Sequence, residues 1–216
     1  MNRMQAILSF GLAVGVSAAF GRAAPQASLA PASWQLDFTF HDPQRLIVKL
    51  PGDTRETTLW YMLYEVTNNT GQDVQFYPSF QLVTDTLRVV DGGSDISPSV
   101  YDVIAARHKK EFPFLARPTQ VTGLLLQGEG NARSSVAVFT DFDRDADRFT
   151  VYVSGLSGEL ASVPNPAFDR RREDSEENMR SFILRRTLAV LYDLPGDPQT
   201  RAHATPIRRT REWVMR

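Results

Sequence analysis

Thr57-Thr58-Leu59-Trp60-Tyr61-Met62-Leu63-Tyr64-Glu65-Val66-Thr67-Asn68-Asn69-Thr70-Gly71 is the stretch that decides the fold class. From Thr57 to Asn68 it is rich in aromatic and β-branched side chains, which favour a pleated, half-buried strand. Asn68 to Gly71 is turn chemistry, because Asn and Gly tolerate the backbone reversals that other residues resist. A second aromatic-rich run, Val74 to Val83, follows, so the spacing predicts a hairpin.

The same punctuation extends to both sides. Trp34, Leu36, Phe38 and Phe40 alternate with Gln35, Asp37 and Thr39, the period of a half-buried strand. Arg45 to Leu50 continues it and stops at Pro51, Gly52 and Asp53. Further strands are expected at Thr86 to Val90, Thr119 to Leu126, Ser134 to Phe142, Arg148 to Val153, Phe182 to Leu194 and Arg211 to Met215. One helix is expected from Pro98 to Lys110, with Ser97 as cap, Pro98 in the first helical position and Val100, Val103, Ile104 and Arg107 on one face. Short strands with close turns and one helix make an all-β, antiparallel β-sandwich of immunoglobulin-like or fibronectin-like kind, since an α/β fold needs a helix between most strands.

Residues 1–24 read as a secretory signal peptide: Arg3, an apolar run from Ala6 to Phe20, then Gly21, Ala23, Ala24 and Pro25. The run is shorter than the roughly 20 residues a spanning helix needs and is broken by Gly11 and Gly15. Cleavage is expected between Ala19 and Ala27, leaving residues 25–216 as a single β-sandwich domain outside the cytoplasm, with no transmembrane segment once the signal is removed. The location is then periplasmic, envelope-associated or extracellular.

The absence of cysteine excludes disulfides, thiol catalysis and thiolate metal sites. A net charge of −1 gives the whole chain no pull toward nucleic acid. Residues 25–168 carry −6 and residues 169–216 carry +3, so the body is acidic and the end basic. The run from Asp169 to Arg180 has one apolar side chain and is expected to be a mobile charged loop or a short surface helix.

Asp141, Asp143, Asp145 and Asp147 place four carboxylates at alternate positions, and an acidic loop can supply the six to eight oxygen ligands that calcium takes, so they are calcium candidates. Ala146 and Tyr152 stand where an EF-hand needs glycine and glutamate, so an acidic connection between strands competes with that reading. His41, His108 and His203 lack zinc spacing. Gly155-Leu156-Ser157-Gly158-Glu159 lacks the last glycine of a nucleophile elbow. Arg201, His203, Arg208, Arg209, Arg211 and Arg216 with Trp213 fit a charge-defended edge strand or a polyanion site. Tyr61, Phe76, Tyr77 and Phe80 would be a carbohydrate platform if exposed and core if not.

Trp60 to Gly71, together with Leu82-Val83-Thr84-Asp85, Leu125-Leu126-Gln127-Gly128-Glu129, Phe139 to Asp143, Val153 to Gly158, Leu184 to Leu188 and Glu212 to Arg216, resembles a family of exported bacterial proteins of unknown function. The resemblance implies export and a sandwich-like domain, and it carries no catalytic residue. The expected function is therefore a non-catalytic binding or assembly module of the envelope or extracellular space, with an envelope or extracellular protein as partner. A carbohydrate hydrolase and a calcium-stabilised adhesion-type sandwich are the alternatives.

Overall fold

A computed structural model describes residues 34–216 apart from 51, 53 and 174, so the signal peptide read at 1–24 lies outside the described residues. In chain order the elements are β1 (Asp37–Phe40), β2 (Gln44–Val48), β3 (Thr57–Thr67), β4 (Val74–Phe76), β5 (Ser79–Thr84), β6 (Val89–Asp91), α1 (Pro98–Arg107), α2 (Pro118–Val121), β7 (Gly123–Leu125), β8 (Arg133–Thr140), β9 (Arg148–Ser154), β10 (Leu160–Pro164), β11 (Ser181–Asp193) and β12 (Ile207–Met215). All pairings are antiparallel. The fold is thus the expected all-β sandwich.

The first sheet is organised by β3, which pairs β1 and β2 in succession on one edge and β8 on the other. The second runs β12-β11-β9-β5-β6, with β10 alongside the N-terminal part of β11. Between them lies the main core. Trp60, Met62, Tyr64 and Val66 on β3 face Phe80, Leu82, Phe149, Val151, Leu188 and Val190 from the second sheet. Burying a side chain of this size stabilises the fold by about 2 kcal/mol relative to leaving it in water.

The other face of β3 is buried too. Leu59, Tyr61 and Leu63, with Val136 and Val138 of β8, pack under Val100 and Ile104 of α1 and against Phe112 and Leu115 of the following segment. Strand β3 is therefore central to three layers, which explains why Leu59 to Tyr64 is an unbroken apolar run rather than an alternating one. Helix α1 covers only the first sheet.

Several local expectations are corrected. Segment Val74 to Val83 is not one strand and does not form a hairpin with β3: it divides into β4, which pairs β7, and β5, which pairs β6 and β9. Pro78 lies at the break, where it can donate no ladder hydrogen bond. The turn at Asn68 still forms, but it hands the chain to β4, which with β7 makes a separate two-stranded sheet. Asn68 is fully buried; its amide donates to Gln72 O (2.8 Å) and Leu125 O (2.9 Å), while its Oδ1 accepts from Thr70 N (3.1 Å). The expected strand from Thr119 begins instead as the short helix α2, with Pro118 in its first turn and Gln120 Oε1 accepting from Arg117 N at 2.9 Å. Helix α1 ends at Arg107, not Lys110, and Ser97 makes no side-chain cap, its hydroxyl pairing with that of Ser99 at 2.9 Å. Strand β10 was not expected from the sequence.

Candidate functional site

Strand β11 is 13 residues long, and its two parts have different neighbours. Leu188 to Asp193 sits between β9 and β12, inside the sheet, whereas Ser181 to Arg185 pairs β10. The two-stranded stretch forms an arm. Leu160, Phe182 and Ile183 on it are 54%, 40% and 59% exposed. An isolated two-stranded ribbon is marginally stable in water, and these apolar side chains gain little from packing within the arm itself.

The arm carries the loop from Asn165 to Arg180. Its neck is closed by Asn165 N donating to Arg180 O (2.9 Å) and Asn165 Nδ2 donating to Met179 O (2.7 Å). Its centre is Asn178, 3% exposed, whose Oδ1 accepts from Asp169 N (2.9 Å) and whose Nδ2 donates to Asp169 O (3.0 Å), Arg172 O (3.3 Å) and Glu173 O (2.9 Å). The charged run therefore wraps a buried amide through turns, and no surface helix forms within it among the described residues. Nothing in the sequence marks Asn178, because one Asn among ten other polar residues of the run gives no signal.

The wrapped loop encloses an open cavity of about 550 Å³ lined by Pro164, Asn165, Phe168, Arg170, Arg172 and Arg180. The Arg180 guanidinium lies 5.4 Å from the centre of the Phe168 ring, and Arg172 pairs loosely with Glu177 at 3.7 Å. Arg170, Arg172 and Arg180 gather three planar guanidinium groups around one opening, a group type that matches the geometry of carboxylate and phosphate oxygens. The arm thus has Leu160 and Ile183 exposed on one face and Phe182 on the other, and it ends in a cluster of arginines.

The four aspartates of the acidic connection serve different neighbours. Asp141 Oδ1 accepts from Trp60 Nε1 (2.9 Å); Asp143 accepts from Thr86 Oγ1 (2.7 Å) and Ala146 N (2.9 Å). Asp147 stands 4.0 Å from Arg201 and beside Asp85, and the Asp145 carbonyl accepts from Arg201 at 2.9 Å. The Asp85 pKa is raised, first by partial desolvation, then by a side-chain hydrogen bond with Asp147 and by the like charge of that neighbour. Among the described residues no three His, Asp or Glu side chains gather as a metal-holding group. Asp85 and Thr86 join this cluster from the β5–β6 turn, a proximity that spacing could not reveal.

Two histidines do approach each other. His41 is 3.5 Å from Glu111, and Tyr61 Oη lies 2.9 Å from His108 Nε2. Burial lowers the His108 pKa, Glu111 opposes that shift, and Arg107 and His41 add to it. His203 lies apart, 3.4 Å from Arg45. Ser157 Oγ accepts from Glu159 N (3.2 Å) within its turn and donates to Trp34 O (3.3 Å), which ties the turn to the segment before β1. Tyr61, Phe76 and Phe80 are core, and Tyr77 alone of that group is exposed.

The basic terminal strand is used as a clamp. Arg208 holds Asp42 at 2.6 Å with its guanidinium 4.7 Å from the Phe40 ring centre, and Arg211 donates to Phe38 O at 3.3 Å. Arg209 and Arg148 flank Asp193, whose carboxyl they hold below the usual carboxylate range. These contacts tie β12 to β1 and to β11. Comparison with family models, with curated proteins and with solved structures finds no match for this chain.

Proposed function

We propose that this chain is an exported, non-catalytic binding and assembly module that engages a protein partner through the β10–β11 arm and the arginine-lined loop at its end. The observation that carries the reading is that exposed Leu160 and Ile183 share one face of the β10–β11 ribbon with Pro164, which also lines the cavity of Arg170, Arg172 and Arg180. A partner that fits presents an apolar strip beside exposed carboxylates. The apolar contact supplies affinity, and the guanidinium groups supply register and rate. Export rests on the leader at 1–24 and on the family resemblance, and an envelope or extracellular protein is the partner class in keeping with both.

The test is retention of an envelope extract on immobilised protein, comparing the native chain with a variant carrying Arg170→Ser, Arg172→Ser and Arg180→Ser. A partner held by the native chain, weakened by salt and lost from the variant is the expected result. Equal retention by both removes the arm from the function. A second reading, a carbohydrate hydrolase, draws on the adjoining carboxylates Asp85 and Asp147. Sugar hydrolysis by the purified chain that Asp85→Asn abolishes would favour it, and activity unchanged by that substitution would remove it.

A further inference from the structure

A second cavity, of about 210 Å³, opens between the two sheets where β8 faces β5 and β6. It is independent of the arm. Tyr64, Phe80, Pro78, Pro118 and Thr122 line it, and the glycine backbone at Gly92 closes one side. Gly92 packs tightly there: a Cβ at this position would stand 2.9 Å from Phe80 Cβ and 3.1 Å from Phe80 O.

Two polar features of this cavity have no hydrogen-bond partner among the described residues. Tyr64 is 1% exposed and its hydroxyl has no partner at hydrogen-bond distance among the described residues; Ser135, whose own hydroxyl is given to Ala116 O at 2.9 Å, is its polar neighbour. Burial pushes the Tyr64 pKa up to about 12, so the group is a neutral phenol at any physiological pH. The other feature is the backbone of Val136. His41 N donates to Leu63 O at 2.9 Å, so the odd residues of β3 bond toward β1 and β2 and the even ones toward β8. In the observed register Met62 faces Ala137 and Tyr64 faces Ser135, which turns the even residues of β8 to its outer edge. There Ser134 O takes Ala116 N (2.9 Å) and Val138 O takes Gly93 N (2.7 Å). Between them, Val136 N–H and C=O receive no backbone bond among the described residues. Buried polar groups in native folds are nearly always paired, and their exceptions concentrate at sites that bind something.

We propose that this cleft is a binding site for a compact aromatic alcohol of phenol class, its ring between Phe80 and the two prolines and its hydroxyl on Tyr64 and the Val136 backbone. The size agrees, since an apolar cavity of about 150 Å³ already accepts benzene. The sign of charge is set by Asp91, which also lines the cavity, so a carboxylated analogue is rejected.

The experiment is ligand-observed NMR titration of the full chain with phenol, toluene and benzoate. Phenol binds saturably, toluene about tenfold more weakly, and benzoate neither binds nor displaces phenol. Tyr64→Phe lowers phenol affinity about tenfold, to the toluene level, and leaves toluene unchanged. Thr122→Trp, at an exposed position on the lining, weakens both and guards against a folding defect at Tyr64. Equal affinities for phenol and toluene in the native chain, phenol affinity unchanged in Tyr64→Phe, or no saturable binding by either molecule would overturn the proposal.

Discussion

Asn178→Ala tests how the arginine-lined loop is built. The side chain is 3% exposed and makes four hydrogen bonds, three of them through an Nδ2 that has only two hydrogens to give. Counting about three effective bonds at roughly 1 kcal/mol each, closing the loop loses about 3 kcal/mol, which is on the order of a hundredfold in its opening equilibrium. The loss is local, because Asn178 belongs to neither core cluster. The assay is limited trypsin digestion read by mass spectrometry, since Arg170, Arg171, Arg172 and Arg180 are cleavage points within or at the edge of the loop. When opening is fast relative to cutting, the cleavage rate tracks the open population. Cutting at Arg170 to Arg172 should therefore quicken roughly a hundredfold while the thermal midpoint moves little. A digestion rate equal to that of the native chain would refute the role given to this amide. A large fall in midpoint would refute its locality.

Other outcomes follow from the same geometry. The folded pKa of Asp85 is raised, so its ionised form costs stability above that pKa and the cost disappears below the unfolded value; Asp85→Asn should raise the melting temperature at pH 7 and leave it unchanged near pH 3, as a scan at both values will show. Asp193 is the opposite case, its folded pKa lowered first by Arg209 and also by Arg148, so its contribution is present above the unfolded value and lost as pH falls through the folded one; Asp193→Asn should lower the melting temperature at pH 7 and not near pH 2. Gly155 has φ +85° and a Cβ there would meet Tyr77 O at 2.5 Å, so Gly155→Ala should destabilise the chain by about 2 kcal/mol or more in a denaturant titration.

What could be read in the sequence was the part set by local periodicity. Alternation at Trp34 to Phe40 and turn residues at Asp91 to Gly93 placed strands and their ends without reference to partners. Partners were not legible: Asn68 to Gly71 reads as a hairpin turn, yet the chain leaves the first sheet to pair β4 with β7, to which Asn68 is tied. The unbroken run Leu59 to Tyr64 did contain a signal for burial on both faces, and α1 is the layer it required. Strand β10 hid because Leu160 to Pro164 is short, ends in proline and is exposed at every second residue. The arm escaped notice for a related reason. Phe182 and Ile183 look like any strand residues until β11 is seen to run past its neighbours.

The most direct measurement is site-specific photo-crosslinking in the producing cell, with the reactive group placed at Ile183 on the arm and, as control, at exposed Thr210 on the outer face of the second sheet. The account predicts a discrete adduct at 183, none at 210, and loss of the adduct when Arg170, Arg172 and Arg180 are replaced by serine. No adduct at 183, or an equal one at 210, would contradict it.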